Sequence, residues 1–519
     1  MNRTSFLTRI CFFVAACLLF VSTAAHAVLA ADSSQQAPPR PNIVYILCDD
    51  LGYGDVHCLN PRRGKIPTPN IDRLATQGMA FTDAHGGSSV CTPTRYGILT
   101  GRYAWRSRLQ SGVLAGESPP LIAPQRLTVP VLLKQHGYAT ACLGKWHLGL
   151  KFGPHGYADS IEDGPLEHGF DYFYGISASL DMPPFAFVEN HRFTEIPSVT
   201  KKWLRAGPAA KSFDAVDVLP TLTRKAVAYI GGHAASAKLG NPFFLYLAFT
   251  SPHTPIVPTA EWQGKSPLGP YGDFVMQTDW ATGEVLHAID KAGLADDTLV
   301  IFTSDNGCSP AAGVDKLEAK GHYPSAEFRG YKSDIWDGGH RIPFIVRWPG
   351  QVKAAAASDQ LTCLTDLLAT CADLVGDKLP DNAGEDSVSI LPALLGRDKA
   401  PLREAVVHHS IDGLFAIRQG PWKLEFCPGS GGWSTPHDAQ ATKAGLPEIQ
   451  LYNMRGDVGE RTNVEADHRD IVRRLTKLFE RYVAEGRSTP GATQSNDVRV
   501  EIFKTASAKA SEKLREIGD

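Results

Sequence analysis

Asn42-Ile-Val-Tyr-Ile-Leu-Cys48 is an unbroken apolar run of strand length, and it stops at Asp49-Asp50. Such runs mark strands buried on both faces, as in parallel sheets covered by helices. The arrangement recurs three times. Tyr138 to Leu143 runs into Gly144-Lys145-Trp146-His147, Phe243 to Phe249 into Ser251-Pro252-His253, and Leu299 to Thr303 into Asp305-Asn306. Each strand delivers polar groups at its carboxyl end, the edge where ligands sit in open α/β sheets. Helical segments lie between them. Thr68-Pro69 reads as a cap with Pro at the first helical position, opening a helix that runs to Gln77 with Gly78 as its stop. Residues 271–291 form a second helix. Leu361, Leu364, Leu368 and Cys371 make an amphipathic stripe, which puts Cys363 and Cys371 on one helix. The alternation of strand and helix predicts an α/β fold.

Past residue 400 the segments shorten. Glu404–His408, Gly413–Arg418, Trp422–Phe426 and Ile449–Tyr452 read as antiparallel strands, followed by a helix around Ile471–Val483. The expected organisation is a catalytic domain over 41–400 and a smaller subdomain over 401–519. At the other end, Arg3 and Arg9 flank the start of an apolar run, Ile10–Val21, that ends near Ala25-His26-Ala27. Residues 1–27 read as a secretory signal peptide and 28–40 as a Ser/Gln/Pro linker. A retained anchor helix and a lipobox at Val14–Cys17 are the alternatives. The expected location is periplasmic or extracellular, or lysosomal in a eukaryote, with no stable membrane insertion. The 519 residues carry a formal charge of −3 and 43% hydrophobic residues. That composition excludes a disordered or fibrous chain and gives no cationic field for nucleic acid.

Asp49 and Asp50 are adjacent carboxylates at a strand end. A hard divalent cation would relieve their repulsion, and a solvated loop is the bland alternative. Asp305-Asn306 adds two oxygen ligands on another strand. With no Cys/His cluster, the donor set favours Ca²⁺ or, less so, Mg²⁺ over zinc. Cys91-Thr-Pro-Thr-Arg95 places Pro93 in the first turn of a helix and Cys91 at its N-terminus, where dipole and free N–H groups favour an anion. Cys91 is either a nucleophile there or a buried structural thiol.

The segment Cys91-Thr-Pro-Thr-Arg95, continued by Leu99-Thr-Gly-Arg102, resembles the signature of type I sulfatases, members of the alkaline phosphatase superfamily. The rest of that family's pattern follows in order from about residue 41 to the early 460s: Asp49-Asp50, Thr68–Ala75, Gly144-Lys-Trp-His147, Ser251-Pro-His253, Ser304-Asp-Asn-Gly307, Arg329-Gly-Tyr-Lys332, Gly338–Pro343 and Leu451-Tyr-Asn-Met454. The resemblance implies an alkaline-phosphatase-like α/β fold: a large mixed, mostly parallel sheet flanked by helices, with a smaller C-terminal antiparallel sheet and helix. It implies that a maturation enzyme converts Cys91 to Cα-formylglycine, and that Asp49, Asp50, Asp305, Asn306 and the modified Cys91 ligate Ca²⁺. Arg95 and Lys145 would stabilise the formylglycine diol, with Lys145 also near the sulfate. His147 would pair with the diol, and Lys332 and His253 would hold the sulfate and its bridging oxygen. In the implied mechanism one diol hydroxyl would attack sulfur and expel the alcohol, with His253 as general acid. The covalent sulfo-enzyme left behind would release sulfate by C–O cleavage once His147 took the proton of the other hydroxyl, restoring the aldehyde.

The implied substrate is a sulfate ester, and the exported location points to a sulfated carbohydrate. The rivals are a phosphonate monoester or phosphodiester hydrolase sharing the motif, and a never-matured glycan-binding protein. The insertion Ile176–Phe213 is expected to shape the substrate pocket. Asp337 stands where many relatives have Glu. Without Cys11, Cys17 and Cys91, seven cysteines remain, so at least one is unpaired. Cys48 and Cys142 belong to buried strands, and Cys363 and Cys371, about 12 Å apart along a helix, are too far from each other to bridge.

Overall fold

The computed structural model describes residues 40–504. The expected signal peptide, with Cys11 and Cys17, and all of the linker but its last residue lie outside the described residues. Thr298–Ser304, Asn42–Asp49, Phe243–Pro252 and Ala139–Lys145 are neighbours in one sheet, all parallel. These are the four strands expected from the apolar runs, and their carboxyl ends form one continuous edge. Tyr172–Ile176 extends the parallel set beyond Ala139–Lys145.

Antiparallel and short strands complete the ten-stranded sheet. On one side lie Phe344–Arg347, Met79–Phe81 and Ala356–Ser358, and on the other Val188–Glu189 and Arg192–Phe193. Two groups of helices cover it. Pro69–Thr76, Val218–Lys238 and Pro270–Lys291 pack on one another, as do Cys91–Thr100, Val129–Gln135 and Leu367–Val375. Every residue of Asn42–Asp49 and Phe243–Pro252 is buried, which is why their apolar runs do not alternate.

One helix expectation is corrected. Cys363 is not on a helix with Cys371: Thr362–Cys363 pairs in parallel with Ala84–His85, a 3-10 turn spans Leu364–Asp366, and the α-helix begins at Leu367. Asp366 causes the switch by accepting the Cys363 amide at 2.9 Å, which tethers the entry turn in place of another helical turn. Among the described residues every cysteine is free.

Val406–His409, Phe415–Gln419, Trp422–Glu425 and Gln450–Asn453 form a four-stranded antiparallel sheet in chain order. The helix Arg469–Ala484 buries Leu475, Phe479 and Tyr482 against it. Trp105, just beyond the Cys91 helix, sits edge-on to Phe415 and Phe479 in the same core. The first strand of this sheet also holds the loop leading to Cys91. Ser88 Oγ and Ser89 N donate to the His409 carbonyl at 3.0 and 3.1 Å. Among the described residues no helix is long and apolar enough to cross a membrane.

Candidate active site

Asp49 ends its strand, and Asp50 turns the chain with φ 64°, a left-handed conformation that Asp tolerates better than most residues. The turn gives the two carboxylates separate partners. Lys145 Nζ lies 2.9 and 2.8 Å from the Asp49 oxygens, and Lys332 Nζ donates to Asp50 Oδ2 at 2.8 Å. Lys145 reaches this point because Gly144 ahead of it permits two strands to close up: a Cβ there would lie 1.8 Å from the Ala248 carbonyl oxygen.

Cys91 opens a helix buried throughout its length, and Gly101 closes it in the left-handed conformation. Arg95, one turn beyond Cys91, shares its face. Its Nε and Nη2 donate to Asp305 Oδ2 at 3.0 and 2.7 Å, and Nη1 to the Lys145 carbonyl at 3.2 Å. Asp305 also accepts the Asp50 amide at 3.2 Å, and Asn306 Nδ2 donates to Asp50 Oδ1 at 2.8 Å. His253 Nε2 lies 3.6 Å from Asp50 Oδ2. The Cys91 sulfur and one oxygen each of Asp49 and Asp305 all lie within 4.8 Å of one another. His147 has φ 57°, and its Nε2 lies 2.7 Å from the Leu114 carbonyl. Its Nδ1 is buried without a partner. Non-glycine residues in this conformation concentrate at functional sites. All ten side chains expected from the sequence therefore gather at the carboxyl edge of the sheet.

The site packs three carboxylates and three cations away from water. Burial opposes the Asp49 and Asp50 charges, but Lys145 and His253 beside Asp49, and His253 and Lys332 beside Asp50, hold both carboxyls below their usual range. Burial pushes the Cys91 thiol up, against the pull of Lys145 and Lys332, so it is not a ready thiolate. Burial, Lys145 and Arg95 keep the His147 imidazole neutral. The residues fit a hard divalent cation. Asn306 Oδ1 is a buried oxygen with no hydrogen-bond partner, beside three carboxylates.

Other polar residues near these loops are bound up elsewhere. His57 meets Asp72 at 3.2 Å on the exposed side, Glu189 meets Lys225, Asn190 accepts the Phe173 amide, and His191 meets Glu167. His322 is buried against Asp55. Asp337 pairs with Lys423 and Arg341. Two rim features stood out less in the sequence. Asp181 Oδ1 lies 4.0 Å from His253 Nδ1, and Trp433 is half exposed on a loop whose amide donates to Asp334 and Ser333, next to Lys332. Asp181 falls inside the expected pocket insertion, whereas no local pattern singles out Trp433.

A buried cradle of oxygen donors that could hold a metal, at the carboxyl edge of an α/β sheet with lysines aimed into it, suits chemistry on an anionic ester. The Sulfatase family model matches residues 41–377, and the chain belongs to that family and is a sulfuric ester hydrolase. It is 36% identical over 499 residues to an N-acetylgalactosamine-6-O-sulfatase of Bacteroides thetaiotaomicron, covering 86% of this chain and 93% of that one. Human arylsulfatase A is 34% identical over 447 residues, with 82% and 83% covered. A solved Bacteroides thetaiotaomicron sulfatase, from work on the metabolism of multiple glycosaminoglycans, superposes with a TM-score of 0.77 at 34% identity. It covers 85% of this chain and 99% of that chain.

Proposed function

We propose that the protein removes sulfate from a sulfated carbohydrate, using a formylglycine made from Cys91 and a Ca²⁺ held by Asp49, Asp50, Asp305, Asn306 and residue 91. The observation that carries this is Cys91 at a buried helix N-terminus, within 4.8 Å of carboxylate oxygens of Asp49 and Asp305, with the next residue after Asp305 offering a buried, unpartnered amide oxygen. The cation would supply charge neutralisation for the developing negative oxygens, and the hydrated aldehyde would supply the attacking hydroxyl. The chain's own side chains do the rest. Lys145 and Lys332 bring two ammonium groups to the sulfate oxygens, in a site where water does not screen them. His253 would donate a proton to the leaving alcohol. His147, held neutral with Nδ1 free, would take one from residue 91. Arg95 fixes Asp305 and the Lys145 carbonyl. We assign export to residues 1–27, with maturation by a formylglycine-generating enzyme, and a catalytic part over 41–400 with a subdomain over 401–519.

The carbohydrate assignment is supported by the rim. Asp181 offers a buried unpartnered oxygen for a hydroxyl, and the Trp433 indole offers an apolar face for a sugar ring. Matched sulfate monoesters, phosphate monoesters and phosphodiesters compared by kcat/KM test the reaction class. The sulfate ester should be cleaved fastest, and faster diester cleavage overturns the proposal. A panel of sulfated mono- and oligosaccharides, with desulfation read at each position, then identifies the substrate. Trp433→Ala should raise KM for the preferred sulfated oligosaccharide about tenfold while changing turnover of a small aryl sulfate by less than about twofold. Exchanging 176–213 for another sulfatase's segment should change the preferred sugar and leave bound calcium intact.

A further inference from the structure

We infer that His85, His340 and His408 form a second metal site, for a divalent transition ion of the zinc type, which pins the C-terminal sheet to the loop leading into Cys91. One ring nitrogen of each lies within 4.8 Å of the others, and all three rings are fully buried. They come from three places: the strand Ala84–His85, the turn of helix Asp337–His340, and the strand Val406–His409.

The hydrogen bonds fix which nitrogens carry protons. His85 Nε2 lies 2.8 Å from Asp83 Oδ1 and is therefore an N–H, leaving Nδ1 as a lone pair. His340 Nε2 lies 3.0 Å from the Ile335 carbonyl. Lys423 also lies 3.3 Å from this nitrogen but has four closer acceptors, the Ile335 carbonyl, Asp337, Glu460 and Glu425. So His340 Nε2 is also an N–H, and its Nδ1 is a lone pair. His408 Nδ1 donates to the Gly86 carbonyl at 3.1 Å, and its Nε2 is buried without a partner. Each imidazole thus spends its N–H on a carboxylate or backbone carbonyl and keeps a bare nitrogen inside the cluster. That is the outer-shell pattern of metal-bound histidines. The His340 and His408 rings stack 3.9 Å apart and 11° from parallel, so the His408 ring must tilt to bring its Nε2 onto a shared ion.

The two facing Nδ1 atoms are 3.0 Å apart. Two lone pairs at that distance repel unless a cation lies between them, and a tetrahedral ion with bonds of about 2.1 Å would hold them about 3.4 Å apart, a few tenths of an ångström wider than here. A proton shared between the two rings is the competing cation. Lys423, Arg341 and Arg418 border the cluster whichever cation fills it, and each is paired with Asp83, Asp337 or Glu460, so their charge does not choose between proton and metal. Burial lowers the pKa of all three rings, that of His85 to about 4, so the neutral ligand form is the stable one. Three imidazoles and no carboxylate select a zinc-like ion, the opposite preference to the oxygen cradle around Asp49.

The test is metal stoichiometry on the full-length protein, stripped with a chelator and dialysed against Zn²⁺, with Ca²⁺ present to fill the oxygen cradle. The wild type should retain one zinc more per chain than His408→Gln or His340→Asn. With Co²⁺ as the probe, the wild type should show intense visible bands of a low-coordinate nitrogen site that both variants lack. Zinc should also raise the wild-type Tm and not that of the variants. Equal zinc content in wild type and variants overturns the proposal, as does a wild type that shows no such bands and no zinc-dependent Tm. These last two need no variant to fold. Sulfatase activity plays no part in these readouts, so failure here leaves the assignment of the Asp49 site untouched.

Discussion

Cys91→Ser is expected to lose at least about 10⁴-fold in kcat/KM on a sulfate ester while remaining folded and binding Ca²⁺. The substitution is nearly isosteric at a buried position, so stability should change by no more than about 1 kcal/mol. What it removes is the second hydroxyl of the hydrated aldehyde. A serine can accept a sulfuryl group but has no neighbouring hydroxyl through which to expel it. The same loss should follow if the wild-type chain is made where no maturation enzyme acts on it. That sample should weigh about 18 Da more at residue 91 than the active one, and intact-mass spectrometry reads the difference directly. Full activity with an unmodified Cys91 thiol would end the formylglycine reading. The buried thiol, pushed above its usual pKa, makes that outcome unexpected.

The four long strands were legible because their burial on both faces writes a continuous apolar run, and because each run ends in polar residues that face the same edge. The short strands were not. Val188–Glu189, Arg192–Phe193 and Thr362–Cys363 are two residues long, too short for any period to register. The Leu361–Cys371 stripe misled for a related reason. Its spacing is helical throughout, but Asp366 and the pairing of Thr362 with Ala84 override it at the start. In the site, the metal-type carboxylates and Cys91 could be named from motif order. The pairing of Lys145 with Asp49 and of Lys332 with Asp50 could not, since it depends on contacts across 96 and 282 residues of sequence. The His85–His340–His408 cluster was invisible for the same cause: three isolated histidines have no spacing to read, and only the docking of the second sheet brings His408 to the other two.

Asp305→Asn should be the most damaging single change among the oxygen ligands. Asp305 accepts two bonds from Arg95 and the Asp50 amide, so its charge serves both the guanidinium and the proposed cation. The amide keeps the shape and removes the charge. Arg95, fully buried, then keeps only Asp49 as a carboxylate partner, at 3.5 Å. A buried charge stripped of its main partner costs about 3–5 kcal/mol, so Tm should fall by several degrees. Calcium affinity should fall as well, because one of three carboxylates is gone and a freed guanidinium repels the ion. Activity should drop by about 10³-fold or more and should not return at millimolar Ca²⁺. In the wild type, by contrast, a calcium chelator should abolish activity reversibly. The two effects separate in Asp305→Glu, which restores the charge but lengthens the arm: stability should largely recover while turnover stays low. An Asp305→Asn protein that binds Ca²⁺ as tightly as the wild type would remove Asp305 from the ligand set and leave it as the anchor of Arg95 alone.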